Sequence, residues 1–411
     1  MIRELRLDRF KNFYDATLTL GKLTVLVGTN ASGKSNVRDA FRFLHGISRG
    51  YTLAEIIGEK WIEGGSQVWQ GIRGGVREIA FWDSPRFALE TQLSGGDGVY
   101  RIEVEAGSNG RPPRLVGEML GGRPPFKMAY SSYDADEPLN QEDPQNLVVR
   151  LQTGKRLRFR SNAPVLAQII KDTGAPTQVE EPARRVLSAL GSMRFLELVP
   201  DAMRIPSLPG QDVLGDRGEN LSSVLQAICE SSGLKRAVLE WGRELTPLDV
   251  VDFEFPADLT GKILLVLVES GGRRTSAYSA SDGTLRFLAV IAALLGPHPA
   301  QFYFIEELEN GIHPTWLHLL LELIEHAVSD RAIQVVATSH SPLLLGFLSE
   351  QSRADAALLY RPEGRPYAEI RRIADIPAIQ EVLKNQNLAR LHESGWLENV
   401  MHFSQPEESE V

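Results

Sequence analysis

The chain has 411 residues, of which 43% are hydrophobic and 24% are charged. This length is enough for two or three domains of about 150 residues, and the composition excludes a disordered or fibrous protein. With 44 Lys and Arg against 53 Asp and Glu, the net charge is −9. A general electrostatic attraction to nucleic acid is therefore excluded, and any DNA contact requires a local basic patch.

Cysteine content and hydropathy predict a reduced, cytoplasmic protein without membrane attachment. The single cysteine, Cys229, can form neither an internal disulfide nor a cysteine-based metal site. The first residues alternate charged and apolar side chains, which is not the pattern of a secretory signal. The longest apolar run, 287–296, is about half of the ~20 residues that cross a bilayer.

The N-terminal part predicts a strand, a loop and a helix in direct succession. Residues 2–20 alternate in two stretches and predict two strands joined by a turn. The apolar run 23–27 predicts a buried central strand. The apolar residues of 37–44 recur at helical spacing, which places a helix after the intervening glycine-rich turn.

The middle of the chain changes from strand patterns to helix patterns. Alternating segments at 77–82, 87–93 and 99–105, separated by Gly and Pro turns, predict an antiparallel sheet over about 75–160. Residues from about 163 to 246 predict a helical insertion, without the heptad repeat of a long coiled-coil arm. The helices predicted there are 165–171, 181–190 and 221–231.

The final third returns to an alternation of strands and helices. A strand is predicted at 302–305, a helix at 314–328 and a second strand at 333–338. The last nine residues, 403–411, are mostly polar and acidic, and we expect them to form a frayed tail.

The segment 28–35, GTNASGKS, fits the phosphate-loop pattern G-x-x-x-x-G-K-[ST] between a predicted strand and a predicted helix. In such a loop the backbone amides surround the β-phosphate, Lys34 bridges the β- and γ-phosphates, and Ser35 coordinates Mg²⁺. The alternative is a glycine-rich turn that binds nothing, with both flanking elements coincidental. The expected nucleotide-binding residues are Gly28, Asn30, Gly33, Lys34, Ser35 and Asn36.

Two carboxylates, Glu306 and Glu307, follow the predicted strand 302–305 directly. A parallel strand would present them at its C-terminal edge, beside the phosphate loop. There Glu306 could hold Mg²⁺ through water, and Glu307 could orient and deprotonate the water that attacks the γ-phosphate. The alternative interpretation is a solvated strand end.

His340 follows the predicted strand 333–338, which completes a βαβ unit of about thirty residues with the strand before Glu307. His340 is thereby predicted at the same sheet edge. From that position its imidazole could reach the γ-phosphate or the attacking water and report whether phosphate is present. Alternatively, it only caps the strand end.

Two segments could form a loop that contacts the γ-phosphate from a partner subunit: 93–97, LSGGD, and 279–284, SASDGT. Such a loop must lie at a helix N-terminus, where the hydroxyl, backbone amides and helix dipole bind phosphate oxygens. Residues after 97 alternate like a strand, so 93–97 is predicted to be a hairpin turn. A good helix former follows 284, with Ser281 or Asp282 available as N-cap.

Taken in order, these motifs resemble those of the RecF/SMC-like branch of the ABC ATPases, in particular its standalone members with an AAA-type label. The similarity covers residues 1–45 and 276–400 well, and the middle only in general character. The motifs that carry it are RFKNF (9–13), GTNASGKS (28–35), SDGTLRF (281–287), EELENGIHP (306–314), TSHSP (338–342) and LHESGWL (391–397).

The resemblance implies an α/β fold: a P-loop NTPase head of the ABC type with a mixed sheet, an antiparallel β subdomain and a helical insertion, and without a long coiled coil. Four segments are predicted. They are an N-terminal ATPase lobe at 1–160, a mainly helical insertion returning to the sheet at 161–275, a C-terminal ATPase lobe with signature loop, Walker B carboxylates and switch histidine at 276–350, and a C-terminal extension with acidic tail at 351–411.

The resemblance further implies ATP and Mg²⁺ as ligands and a homodimer that closes head to tail around two ATP molecules. Ser281 and Gly283 of one subunit would complete the site of the other. Two positions depart from the wider superfamily, because Glu306 replaces the usual Asp and Asp282 takes a position usually occupied by Gly. Both changes recur in the standalone branch.

Three further side chains have less specific signals. A glutamine that senses Mg²⁺ and the γ-phosphate is expected, and Gln70 in Trp-Gln-Gly is the best candidate, although structural glutamines before turns are common. Arg9 and Lys11 could contact the nucleotide or be exposed charges at a strand end.

Three functions compete at this point. The first is an ATPase whose dimerisation controls a separately encoded nuclease-like or TOPRIM-like effector, in genome maintenance or phage defence. The second is a repair ATPase that binds DNA itself through the arginines of 156–160, which alternation places on one strand face; the alternative is a solvated face. The third is the nucleotide-binding subunit of a membrane transporter. The chain differs from such a subunit in its opening strands and its Ser-Asp-Gly loop.

Overall fold

The computed structural model describes residues 1–82, 84–94, 98–108, 110–122, 128–134, 137–138, 143–171, 176–245 and 249–376. Residues 95–97 of the first candidate loop lie outside the described residues, as do 377–411, which include the tail motif 391–397 and the predicted frayed end.

Strands are concentrated in the first 160 residues and after residue 249, and a short strand at Met193–Leu196 lies between the two groups. In chain order they are β1 (Ile2–Phe10), β2 (Phe13–Thr19), β3 (Leu23–Val27), β4 (Lys60–Trp61), β5 (Gln67–Trp69), β6 (Arg86–Leu93), β7 (Val99–Glu105), β8 (Arg114–Gly121), β9 (Met128–Ser131), β10 (Tyr133–Asp134), β11 (Glu137–Pro138), β12 (Asn146–Leu151), β13 (Arg156–Arg160), β14 (Met193–Leu196), β15 (Val250–Glu254), β16 (Val266–Glu269), β17 (Arg274–Ser276), β18 (Phe302–Ile305), β19 (Gln334–Ser339), β20 (Ala357–Tyr360) and β21 (Glu369–Arg372).

Helices dominate the region between β13 and β15, as predicted. The α-helices are α1 (Lys34–Ser48), α2 (Leu53–Ile57), α3 (Gly75–Glu78), α4 (Val165–Ile169), α5 (Thr177–Gly191), α6 (Pro200–Met203), α7 (Leu221–Cys229), α8 (Ser232–Leu245), α9 (Asp282–Leu295), α10 (Pro314–Asp330) and α11 (Glu350–Ala354). Short 3-10 helices span Pro342–Gly346 and Ile373–Asp375.

The chain divides into two compact units, each assembled from separate stretches of sequence. Unit 1 contains Met1–Leu20, Thr29–Met193 and Leu358–Arg371. Unit 2 contains Gly21–Gly28, Arg194–Ala357 and, among the described residues, 372–376. The four-segment division made from the sequence stays a prediction.

Unit 1 contains an eight-stranded sheet in the order β13-β12-β9-β8-β7-β6-β1-β2, whose neighbouring strands run antiparallel. Aromatic rings fill its core, and the ring of Phe87 lies 5.5 Å from those of both Phe10 and Phe43. The predicted antiparallel sheet is confirmed. The strand predicted at 77–82 is wrong, because Gly74 and Gly75 adopt positive φ angles and turn the chain into the short helix α3.

In unit 2, β14, β18, β19 and β3 are neighbours in that order, and β18, β19 and β3 run parallel. All residues of β18, β19 and β3 are buried, as expected of parallel strands covered on both faces. A separate antiparallel sheet has the order β15-β16-β17. The predicted α/β class is confirmed.

The apolar run 287–296 forms most of α9 and ends at its C-cap, Gly296; α9 is a core helix of unit 2 with eleven of its fourteen residues buried. It packs against α7, α8 and α10. Among the described residues, no helix combines the length and apolar character needed to cross a bilayer.

Candidate functional site

The phosphate loop begins at the buried end of β3 and leads into α1. Gly33 is the N-cap of α1 with φ 108°, and no side chain caps this helix. A Cβ atom at Gly33 would lie 2.7 Å from the ring of Phe13, so both the backbone conformation and the space require glycine. The first turn contains no acidic residue. The helix therefore presents open amides and its positive dipole end.

Two side chains of the loop fit an anion. Lys34 is 6% exposed, and its Nζ donates to the Thr29 carbonyl oxygen at 2.8 Å. Ser32 is 2% exposed, and its Oγ has no hydrogen-bond partner in the described part of the chain. A buried hydroxyl without a partner is costly, and a phosphate oxygen would satisfy it. The loop thus fits a nucleotide phosphate.

An ion pair behind the loop fixes the start of α1. Asp39 is 1% exposed and pairs with Lys11 Nζ at 2.8 Å. The guanidinium of Arg73 approaches Asp39 at 3.4 Å and donates to the Ser35 carbonyl oxygen at 2.6 Å. Asp39 and Arg73 were not predicted from the sequence, although an Asp on the apolar face of a predicted helix is a usable signal.

Lys11 is neither an exposed charge nor open toward a ligand, because its ammonium is held by Asp39 and by the Arg73 carbonyl oxygen. Arg9 pairs with the neighbouring Asp8 at 3.0 Å. The adjoining turn also supports the loop, since Asn36 Nδ2 donates to Asn12 Oδ1 at 2.7 Å.

Gln70 is exposed directly after β5. In the segment after β5, the residue that contacts Ser35 is Arg73, whose Nη2 donates to the Ser35 carbonyl oxygen. The role of Gln70 in holding Mg²⁺ therefore stays a prediction.

Three parallel strands of unit 2 end at the same edge. In their register Ile305 is opposite Ala337, and Ser339 is opposite Val27. Glu306, His340 and Gly28, the residues directly after β18, β19 and β3, consequently leave the sheet on one side. The predicted neighbourhood of the carboxylates, the histidine and the start of the phosphate loop follows from this register.

Glu307 is exposed and has a φ of 49°, a conformation that costs a non-glycine residue energy and is concentrated at functional sites. Its backbone N–H donates to Thr338 Oγ1 at 2.9 Å. Asn310 Nδ2 donates to its Oε2 at 3.0 Å, and His340 Nε2 lies 3.5 Å from its Oε1. The neighbouring strand and loop therefore hold the carboxylate in place.

Glu309 is a further member of this cluster that was not predicted from the sequence. Its Oε1 accepts a hydrogen bond from the His340 backbone N–H at 2.7 Å. Glu306 is half-buried, and its backbone N–H donates to the Leu196 carbonyl oxygen at 3.0 Å. The segment after β18 is thus tied to both neighbouring strands, β14 and β19.

The loop 279–284 lies at the N-terminus of α9, as predicted. Ser281 is the N-cap, and its Oγ accepts from the Thr284 backbone N–H at 3.2 Å. Gly283 packs against the segment after Glu307, because a Cβ atom there would lie 2.5 Å from the Gly311 carbonyl oxygen. The competing segment 93–97 is flanked by β6 and β7, which pair antiparallel with Gln92 opposite Val99, as a hairpin requires.

The oxygen donors of the site suit Mg²⁺, which prefers a few carboxylate or hydroxyl ligands together with phosphate oxygens. Ser35, in the first turn of α1, carries a hydroxyl, and Glu306, after β18, carries a carboxylate; their roles as Mg²⁺ ligands stay a prediction. In the described residues no group of three or more His, Cys, Asp or Glu could hold a metal by itself.

A phosphate loop after a buried parallel strand, with carboxylates at the same edge of the sheet two strands away, defines a P-loop nucleoside triphosphatase. The chain belongs to the family described as "AAA domain, putative AbiEii toxin, Type IV TA system", whose model matches residues 23–145 and 172–346. The predicted resemblance to a standalone, AAA-labelled ATPase is confirmed at the level of this family.

Solved structures similar to this chain include three SMC head domains. One is bound to the C-winged helix domain of ScpA, with 14% identity, TM-score 0.45 and coverage of 90% of this chain and 97% of that chain. Another is from Thermotoga maritima, with 12% identity, TM-score 0.40 and coverage of 90% and 98%. The third, derived from Pyrococcus furiosus, has an extended coiled coil and is bound to the C-terminal domain of ScpA, with 11% identity, TM-score 0.42 and coverage of 93% and 99%. No similar sequence was found among curated proteins.

Proposed function

We propose that this ATPase binds Mg-ATP at its phosphate loop and hydrolyses it at composite sites of a head-to-tail homodimer, as a switch for a toxic or DNA-linked effector. The observation that carries the chemistry is the cluster at the end of β18 and β19, where Glu307 is held beside His340 at 3.5 Å.

In this proposal Lys34 and the loop amides bind the phosphates, together with Gly28, Asn30, Gly33 and Asn36. Glu307 orients a water molecule and takes its proton as the water oxygen bonds to the γ-phosphorus and the bond to ADP breaks. His340 contacts the γ-phosphate or that water. Ser35, Glu306 and Gln70 would hold Mg²⁺, which supplies charge neutralisation when bound.

The dimer is proposed from the loop 279–284. Ser281 is exposed at the N-terminus of a fourteen-residue buried helix, where it is accessible to the γ-phosphate bound by a second chain. Gly283 would present its backbone N–H to the same phosphate.

The effector is proposed from the family description, which names a putative toxin and a type IV toxin–antitoxin system. The nuclease-like or TOPRIM-like nature of a partner rests on the resemblance of the motifs. We infer that ATP-dependent closure, rather than hydrolysis alone, determines whether this effector acts.

The test uses Glu307→Gln, which keeps the shape of the side chain and removes the proton acceptor. We expect hydrolysis to fall at least about 100-fold while ATP-dependent dimers accumulate, measured by light scattering with and without Mg-ATP. Lys34→Ala is the control that should prevent both binding and dimers. An unchanged mass with ATP in wild type and Glu307→Gln would contradict the switch.

The trapped Glu307→Gln dimer then serves as bait in the native cell. We expect a separately encoded enzyme to co-purify with it and not with Lys34→Ala. Recovery of no such enzyme with the trapped dimer would contradict the effector part of the proposal and leave the ATPase part standing.

Direct DNA binding is a second candidate, favoured by β13. The side chains of Arg156, Arg158 and Arg160 are exposed on one face of this edge strand, at a spacing of about 6.8 Å. Arg158 also approaches Asp143 at 4.0 Å. If this face binds DNA, changing the three arginines to Gln should reduce the salt dependence of binding by about 0.9 for each lost phosphate contact. No binding at low salt would exclude this function.

A further inference from the structure

The loop 279–284 contains a carboxylate at the helix end where an anion is proposed to bind. Asp282 is the first residue of α9, and its side chain is 61% exposed. An acidic residue stabilises the positive end of a helix dipole. The same charge would repel a phosphate at this helix end. A Ser-Asp-Gly loop therefore needs a compensating cation to bind a γ-phosphate.

Arg204 is in the position to supply that cation. Its Nη2 donates to Asp282 Oδ1 at 2.6 Å and to the Ala280 carbonyl oxygen at 3.0 Å. The guanidinium thus contacts the residues on both sides of Ser281. Its Nη1 donates to Asp201 at 3.0 Å.

The position of Arg204 is fixed by its local structure. It follows α6 directly, and its backbone N–H donates to the Pro200 carbonyl oxygen at 3.1 Å. The preceding Met203 is 1% exposed and packs under Gly218. The Arg204 side chain is only 21% exposed, so most of its surface is covered by the surrounding protein.

The second cation of this region, Arg286, does not substitute for Arg204. It lies on α9 four residues after Asp282, and its side chain packs against Gly311. Its buried Nε has no hydrogen-bond partner within the described residues, and its interaction with Asp282 is a longer-range electrostatic one. Direct neutralisation of Asp282 comes from Arg204.

We propose that Arg204 is a positioning residue of the composite ATP site, which neutralises Asp282 and thereby allows the loop 279–284 to bind the γ-phosphate held by a second subunit. This inference rests on the proposed function, because it assigns a role within the same dimer. It makes the helical insertion, which carries Arg204, a part of the ATP site.

The test compares Arg204→Gln with Arg204→Gln/Asp282→Gly, both in the Glu307→Gln background, by light scattering over a range of ATP concentrations. We expect Arg204→Gln to raise the ATP concentration needed for dimers about tenfold, because an uncompensated charge remains. Removing Asp282 as well should restore dimer formation. ATP binding to the monomer, measured by equilibrium dialysis, should be equal in both variants.

Asp201→Asn is the matched control, because it removes the other carboxylate that contacts Arg204 and leaves the loop unchanged; dimers should form as in the parent. Arg204→Lys, which keeps the charge, should dimerise better than Arg204→Gln. If Arg204→Gln does not fold, Asp282→Gly with Arg204 intact should dimerise at least as readily as its parent, and a loss there would overturn the proposal.

The outcomes separate the two proposals. If the Glu307→Gln parent does not dimerise with ATP, the proposed function is wrong. If the parent dimerises and Arg204→Gln dimerises equally well, the proposed function stands and the role of Arg204 is overturned. A defect in Arg204→Gln that Asp282→Gly fails to rescue would show a purely structural role and would also overturn it.

Discussion

The N-termini of α1 and α9 are both proposed to bind phosphate, and they are built differently. At α1 the N-cap is a left-handed glycine, no side chain caps the helix, and the first turn contains no acid. At α9 the Ser281 side chain accepts from a backbone N–H, and Asp282 occupies the first turn. The first helix end is open toward an anion, and the second is already partly satisfied by its own side chains.

This difference separates two kinds of phosphate site. We expect the loop before α1 to bind an anion by itself, because no side chain caps its helix and it carries its own cation, Lys34. The loop before α9 needs a cation to neutralise Asp282, and Arg204 supplies it by pairing with Asp282 at 2.6 Å. We therefore expect changes at α1 to abolish nucleotide binding, and changes at α9 to weaken only the ATP-dependent dimer.

The largest effect is expected for Lys34→Ala at the open helix end. Loss of the ammonium that neutralises the phosphates should lower ATP binding and turnover about 100-fold or more, measured by equilibrium dialysis and phosphate release. Lys22→Ala, at an exposed lysine just before β3, is the control. Nucleotide binding that survives Lys34→Ala would remove the distinction between the two helix ends.

Gly283→Ala tests the second helix end by steric means. Its Cβ atom would lie 2.5 Å from the Gly311 carbonyl oxygen, so loop and neighbour must separate, at a cost of about 1–3 kcal/mol. We expect dimer formation with ATP to fall roughly tenfold or more while ATP binding by the monomer is unchanged. Gly233→Ala, at an exposed glycine with no neighbour within 4 Å of the added atom, should change neither.

At a third helix end, the N-terminus of α4, a carboxylate of the protein itself accepts hydrogen bonds from the backbone amides. The buried carboxylate of Glu118 accepts from the backbone N–H groups of Val165 and Leu166, both at 2.7 Å. It also accepts from the hydroxyls of Tyr100 and Tyr130 at 3.2 and 2.8 Å. Burial nevertheless raises the pKa of Glu118 to about 7, because desolvation disfavours the charged form.

The folded protein therefore binds a proton at Glu118 more tightly than the unfolded chain does. The stability from this residue is fully present below its ordinary pKa of 4.5 and is lost as the pH rises to about 7, by on the order of 3 kcal/mol. Urea unfolding between pH 5 and 8 should show this decrease. Glu118→Gln should lower stability and flatten its pH dependence; an equal slope in both proteins would contradict the assignment to Glu118.

The smallest effect is expected for Ser281→Ala, which removes the cap of α9. Loss of the bond from the Thr284 N–H should cost about 1 kcal/mol of stability and weaken the ATP-dependent dimer several-fold. The matched control is Ser349→Ala, which removes the corresponding cap of α11, where Ser349 Oγ accepts from the Ser352 N–H at 3.3 Å. Equal effects of both variants on the dimer would mean that Ser281 acts only as a cap.

Sequence patterns located the central elements closely, because buried strands and glycine-rich loops have strong local signals. The strands at 23–27 and 302–305 were predicted with the bounds that the structure has. The strand predicted at 77–82 was wrong, since alternation over a few residues does not outweigh two glycines with positive φ.

The residues missed in the candidate site share one property, namely that their partners are distant in sequence. Asp39 pairs with Lys11 and Arg73, and Arg204 pairs with Asp282, 78 residues away. Spacing along the chain contains no information on such pairs. Motif reasoning found the groups that would touch the nucleotide and not those that hold them in place.

The sequence by itself determined the chemistry of this protein: a phosphate loop, a carboxylate pair and a histidine, each directly after a predicted strand. These are local patterns, because a few adjacent residues must present amides, an ammonium or a carboxylate together. Only the tertiary structure decided which side chains complete them. Strand register brought His340 beside Glu307, and packing of α6 on α9 brought Arg204 to Asp282, because contacts between distant segments arise from the folded core.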